Sequence, residues 1–206
     1  MRGALVVLEG IDQAGKETQA RSLQTAIVAS GLRSEVRHYP DYETQIGRLI
    51  RSLLSDGIAS DPRTRAMLFA ANRWEKDPEL RRLCDTNALV CVDRYTASNI
   101  VYGLSQGLEE TWLRGLESGL LGADLTVLVD IRPAESSRRK ASGRDDYERD
   151  MRLLEAARAH YIRIASRDGW VVVDGAQEPA AVSRDLCAAV RERLEKGFPV
   201  VAAALA

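Results

Sequence analysis

Lys16 directly follows Gly15 in the run Gly10-Ile-Asp-Gln-Ala-Gly15-Lys16-Glu17-Thr18. Glycines at this spacing let successive backbone N–H groups turn toward one point, and the lysine adds a movable cation beside them. The arrangement suits the β- and γ-phosphates of a nucleoside triphosphate, with Gly10, Gln13, Ala14, Gly15, Lys16, Glu17 and Thr18 as the lining residues. Glu17 stands where a Ser or Thr ordinarily offers its hydroxyl to Mg²⁺. Thr18 retains a hydroxyl one position on. Glu17 itself either reaches the metal through water or favours the helix N-terminus by its charge. A kinase, an ATPase, a GTPase and a degenerate nucleotide binder all remain compatible with this loop.

Such a loop works only between a buried strand and a helix. Ala4–Leu8 is a continuous apolar run, too short for a helix and suited to a strand covered on both faces. Leu23, Ala26 and Ile27 recur at helical spacing until Gly31 supplies a stop. Further strands are expected at Ser34–His38, Ala88–Val92, Leu125–Val129 and Trp170–Val173. Between them, Ile46, Leu49, Ile50, Leu53 and Leu54 trace one helical face. A long helix over Pro62–Asp85 turns Met67, Ala70, Ala71 and Trp74 inward. Helical segments are also expected over residues 99–119, 133–141, 147–167 and 178–194. Alternating short strands and helices imply an α/β, three-layer P-loop NTPase fold with a five-stranded parallel sheet flanked by helices. Ligands of such sheets gather at the carboxyl ends of strands, where Asp12, Asp93, Asp130 and Asp174 fall. With neither a linker-like stretch nor a repeat, residues 1–206 read as a single domain.

Composition narrows the class. Lys plus Arg number 29 against 30 for Asp plus Glu, a formal net charge of -1, which argues against a nucleic-acid or membrane partner held by bulk charge. Cys84, Cys91 and Cys187 are odd in number and widely spaced, so neither a disulfide framework nor a zinc site is supported. Only His38 and His160 are present, which disfavours a histidine metal centre or triad. Neither a signal peptide nor a membrane-spanning apolar stretch is read. The expectation is a soluble, cytoplasmic protein.

Five blocks then resemble the thymidylate kinase family in order and separation. They are Leu8-Glu-Gly-Ile-Asp-Gln-Ala-Gly-Lys16, Tyr39-Pro40, Leu68-Phe-Ala-Ala-Asn-Arg-Trp74, Asp93-Arg-Tyr-Thr-Ala-Ser98 with Asn99 and Tyr102, and Asp145-Asp-Tyr-Glu148. The resemblance implies transfer of the γ-phosphate of ATP to dTMP, with Mg²⁺, in a homodimer. Lys16, Asp93, Arg94 and a lid cation, Arg144 or one of its neighbours, are then the catalytic set. Asp93 closes a buried strand beside the phosphate loop, where a carboxylate would hold hydrated Mg²⁺, with Asp12 and Thr18 as further metal candidates. Arg94 can fork onto a monophosphate acceptor. Phe69 and Arg73 lie four apart on one helical face. By resemblance Phe69 stacks on thymine and Arg73 bonds its O4. Asn99 would read the base near N3, Tyr102 would favour deoxyribose, and Asp12, Tyr39 and Ser98 would complete the dTMP pocket. Arg138, Arg139, Lys140 and Arg144 mark a short lid at about residues 138–148. Arg139 is placed against adenine, and Gln177 belongs to the adenine loop.

Two departures from the family pattern bear on rate more than on binding. Glu17 replaces the loop hydroxyl. Asp41 and Tyr42 follow Tyr39-Pro40 where many relatives carry an arginine for the dTMP phosphate, leaving Arg48, one helical turn on, as a substitute. The alternatives are another nucleotide or nucleoside kinase of this fold, or a weakly active nucleotide-binding protein.

Overall fold

The structure, a computed structural model, describes residues 2–55, 61–139 and 150–206. Five strands form one sheet: β1 (Ala4–Glu9), β2 (Ser34–His38), β3 (Leu89–Asp93), β4 (Leu125–Asp130) and β5 (Val171–Asp174). They lie in the order β2-β3-β1-β4-β5, every neighbouring pair parallel. All six residues of β1 are buried, because helices cover both faces of the sheet and no side of that strand meets water. The five apolar runs correspond to the five strands, each within one residue of its expected boundary at either end.

The described helices are α1 (Lys16–Ala29), α2 (Gln45–Ser55), α3 (Pro62–Thr86), α4 (Thr96–Ser105), α5 (Glu110–Glu117), α6 (Pro133–Arg139), α7 (Met151–Asp168), α8 (Pro179–Leu194) and α9 (Pro199–Ala204). Pairing sets Leu8 level with Asp93 and Glu9 level with Leu128. The phosphate loop after β1 therefore stands beside the Asp93-Arg94 turn after β3. Past β3 the chain crosses β1 to enter β4, which opens a crevice at the carboxyl ends of β1 and β3.

Three expectations about helices are corrected. Met67 and Trp74 are 47% and 42% exposed, and the buried residues of α3 are Ala70, as expected, with Ala66, Asn72, Arg73, Asp77, Leu80 and Cys84. That set is rich in polar groups because it borders a nucleotide-sized cleft, so apolar periodicity selects the wrong face. On α2, Leu49 is 48% exposed while Gly47 and Ile50 are buried. The span 99–119 is two helices, α4 and α5. Gly107, at φ +81, takes the left-handed conformation that lets the chain turn out of α4. The apolar tail forms α9, whose Val201 and Ala202 are buried, Val201 in the main core.

Candidate active site

Gly10 opens the phosphate loop at φ +145, and a Cβ there would lie 2.4 Å from the carbonyl oxygen of Val129, so only glycine fits. Gly15 caps α1 at φ +89 with no side-chain hydrogen bond to the helix's first N–H groups. Those donors, together with the helix dipole, make an anion cradle. Lys16 is buried and its Nζ donates to the carbonyl of Ile11 at 2.9 Å. Burial and then the nearby Arg94 charge draw its ammonium below the ordinary lysine range, while Asp93, Asp12 and Glu9 oppose that shift. An arriving phosphate favours the charged form of Lys16 for the same electrostatic reason.

Arg94 sits at the junction of loop and cleft. Its backbone is left-handed, φ +62, and is fixed there by its N–H donating to Leu8 at 2.9 Å. Nη2 meets Asp12 Oδ1 at 2.6 Å, while Nη1 donates to the Gly10 carbonyl at 2.9 Å and to Ser98 Oγ at 3.3 Å. Burial works against its charge, but Asp12, Tyr102, Tyr161 and Asp93 outweigh it and hold the guanidinium charged. Tyr102 donates to the other oxygen of Asp12 at 2.7 Å. Burial pushes the Asp12 carboxyl upward, yet Arg94, Lys16 and the Tyr102 hydroxyl together leave it below the usual range.

Asp93 behaves differently from its neighbour. Its Oδ1 is buried and has no hydrogen-bond partner among the described residues. A buried carboxylate oxygen with no partner among the described residues keeps its lone pairs available to a ligand. At the end of β3 beside the phosphate loop, a hard oxygen ligand of this kind fits Mg²⁺, which is commonly held by one or two carboxylates plus substrate phosphates and water.

A cleft of about 650 Å³, its open mouth included, runs from Arg94 and Asp12 between α3 and α4. Tyr39, Phe69, Arg73, Ser98, Asn99 and Tyr102 all line it, so the residues expected to hold dTMP are brought together. Arg48 is not. It is exposed, and its Nη1 donates to the carbonyl of Glu43 at 2.5 Å. Arg65 lines the cleft instead and donates to Gln106 Oε1.

On the triphosphate side, Gln13 lies at φ +60. Arg139 reaches across to the carbonyls of Gln13 at 3.2 Å and Gly175 at 2.8 Å, joining the phosphate loop to the turn after β5. Gln177 stays in that turn, bonded to Asp174 and Asp185. Glu17 points outward, ion-paired with Arg21 at 2.9 Å, and Thr18 is also exposed. Asp130 and Asp174 have local roles: Asp130 pairs with Arg158, and Asp174 accepts from the Ala176 N–H. Lys140, Arg144 and the Asp145–Glu148 block lie outside the described residues.

Besides Arg65, the sequence pattern did not single out three site residues. Glu9 is fully buried and accepts from the N–H groups of Tyr95 and Ser98 and from the hydroxyls of Ser98 and Tyr161. A carboxylate ending a buried strand was the available signal, since the same reasoning selected Asp93. Tyr161 on α7 and Glu117 on α5 gave no such signal; their partners lie far away in sequence.

The thymidylate kinase family model matches residues 8–186. The human thymidylate kinase is 33% identical over 187 residues, spanning 90% of this chain and 88% of its own. The thymidylate kinase of Arabidopsis thaliana is 31% identical over 195 residues, 95% of this chain and 73% of that protein. Among solved structures, a thymidylate kinase from Candida albicans superposes with a TM-score of 0.81 at 28% identity, covering 93% of this chain and 92% of its own.

Proposed function

The chain belongs to the thymidylate kinase family and transfers a phosphate from ATP to dTMP, and from that premise we propose the part each residue plays. The observation that carries the assignment is the Arg94 guanidinium, fixed between the phosphate loop and the nucleotide cleft by Asp12 and the Gly10 carbonyl.

The α1 N-terminus and Lys16 receive the β- and γ-phosphates of ATP, and Arg139 with Gln177 borders its adenine. The dTMP phosphate comes to Arg94, which thereby spans acceptor and donor and neutralises charge as the phosphoryl group passes. Phe69 stacks on the base, Arg73 and Asn99 meet its polar edge, and Tyr102, anchored by Asp12, lies against the sugar with Tyr39 as the opposing wall. Ser98 holds Arg94 in place. Mg²⁺ would be held by Asp93, with Asp12 and Thr18 as further candidates, and when bound it supplies charge neutralisation to the phosphates. Arg144 is the proposed lid cation. Phosphoryl transfer asks little covalent work of the protein, so fixed position and charge are the main contributions of these side chains.

We place the enzyme in the cytoplasm as a homodimer. Its three cysteines are free thiols, and no helix among the described residues is long and apolar enough to cross a membrane. The exposed Met67 and Trp74 on α3 are the proposed self-association face.

Coupled measurement of ADP release with dTMP, dUMP, dCMP, dGMP and thymidine tests the reading. dTMP should be preferred, with dUMP next; a preference for any other acceptor would sink it. The outward Glu17 leaves the first turn of α1 without the usual hydroxyl. Glu17→Ser should raise kcat on the order of fivefold and lower the Mg²⁺ concentration giving half-maximal rate. An unchanged Mg²⁺ dependence would show that position 17 has no bearing on the metal.

A further inference from the structure

At the end of the cleft formed by α3 and α4, three helices meet at one buried carboxylate. Glu117, the last residue of α5, receives Arg73 Nε at 2.8 Å and Nη2 at 2.5 Å. It also accepts from the Asn99 side-chain amide at 2.6 Å. Both side chains of the Arg73–Glu117 pair are almost completely buried. A carboxylate in such a place is strongly held only when its lone pairs are matched by donors, and here Arg73 and Asn99 provide them.

The consequence concerns what these two residues have left to offer. Asn99 Nδ2 gives one N–H to Glu117 and the other to the Ala66 carbonyl at 3.1 Å. The reverse amide orientation would set its oxygen against two acceptors, so electrostatics fixes this one. Asn99 lines the cleft with only Oδ1 uncommitted among the described residues, and that atom is purely an acceptor. Arg73 gives its Nε–H and one Nη2 N–H to Glu117, and the N–H groups left on Nη1 and Nη2 can meet the cleft only as donors. The wall thus presents a donor beside an acceptor. A pyrimidine-2,4-dione complements it with a carbonyl beside a ring N–H. Cytosine opposes it at both points, with an amino group and a bare ring nitrogen.

We infer that Glu117 is a positioning residue that sets base selectivity, holding Arg73 and Asn99 as a matched donor–acceptor pair. The inference rests on dTMP as the acceptor and adds the group that enforces the choice. Glu117 touches no substrate itself and acts through the two residues it holds.

Glu117→Gln keeps the size and replaces one acceptor oxygen by a donor facing Arg73, so the guanidinium is no longer held at both nitrogens. In the full-length enzyme, KM for dTMP should rise roughly tenfold while KM for ATP stays within about twofold. The ratio of kcat/KM for dTMP over dCMP should narrow by roughly tenfold. Glu117→Asp, which restores an acceptor-only group, should recover most of that ratio. A folded Gln variant whose ratio is unchanged, whatever its absolute rate, would overturn the inference. Wild-type enzyme that turns over dCMP as readily as dTMP would overturn the substrate reading, and the inference with it.

Should the Gln variant not fold, hydrogen exchange at the Asn99 side-chain amide of ¹⁵N-labelled wild-type enzyme decides the matter. Its resonances are assigned by their loss in Asn99→Asp. Both N–H protons should be protected before dTMP is added; either one exchanging freely with solvent would refute the fixed orientation.

Discussion

Arg94→Met should lower turnover of ATP with dTMP by roughly a thousandfold while leaving ATP affinity within about threefold. Methionine fills similar volume, so the change removes donors and charge more than packing. Three features make the loss large. The guanidinium is anchored at Asp12, Gly10 and Ser98 before substrate arrives, so little reorganisation is needed when charge moves during transfer. Its side chain is mostly withdrawn from water, 16% exposed, and a fixed charge acts more strongly there than in bulk solvent. It also belongs to the loop and the cleft at once, and no other described cation makes that bridge. Arg94→Lys should recover little, because a single ammonium cannot reproduce two diverging N–H pairs directed at Asp12 on one side and Gly10 on the other. Single-turnover kinetics with pre-bound Mg²⁺-ATP would measure the chemical step alone. A Met variant within tenfold of wild type would remove Arg94 from that step and transfer its role to the lid arginines.

How much of this was legible in advance depended on the range of the interactions involved. The strands were readable because β1, β3 and β4 are apolar on both faces, so a continuous run with no alternation has few other interpretations. The phosphate loop was readable because its chemistry is local: Gly10, Gly15 and Lys16 act through backbone and side chains within one turn. The face of α3 was misjudged for the opposite reason. Arg73, Asn72 and Asp77 are buried there by partners on other segments, among them Glu117, Asp41 and Leu121, and hydrophobic periodicity treats buried polar residues as exposed. Trp74 compounds the error. Its ring lies half in solvent, yet its indole N–H is satisfied by the Leu116 carbonyl. Arg48 failed as a substitute for the absent arginine because one helical turn along α2 moves a side chain away from the cleft, whereas Arg65, on a different helix, faces it. Tyr161 and Glu117 were invisible for a shared reason: each acquires its meaning from partners 18 to 152 positions away, whereas Glu9 was marked by its place at the end of a buried strand.

Glu9→Ala should destabilise the fold by about 4 kcal/mol or more, while Glu9→Gln should cost about half of that. Glu9 is 0% exposed, and its two oxygens accept from four donors. Oε1 takes the backbone N–H groups of Tyr95 at 2.9 Å and Ser98 at 3.2 Å. Oε2 takes the hydroxyls of Ser98 at 2.7 Å and Tyr161 at 3.0 Å. Alanine leaves all four donors buried without this acceptor, at about 1–3 kcal/mol for each one that finds no other partner. The two hydroxyls can turn toward one another, since Ser98 Oγ and Tyr161 OH are only 2.9 Å apart, but the two backbone N–H groups cannot rotate. Glutamine can keep its oxygen on those N–H groups and point its amide at the hydroxyls, which are able to accept. The smaller loss in Gln thus follows from which donors can rotate. Urea unfolding of the two variants measures the gap. Equal losses would show that charge, rather than acceptor geometry, is what Glu9 supplies. The same variants link the buried network to chemistry, because Ser98 and Tyr161 also receive Arg94 Nη1. Glu9→Gln, folded but with its hydroxyls reoriented, should lose roughly tenfold in kcat with KM for ATP unchanged, since only the placement of Arg94 is disturbed.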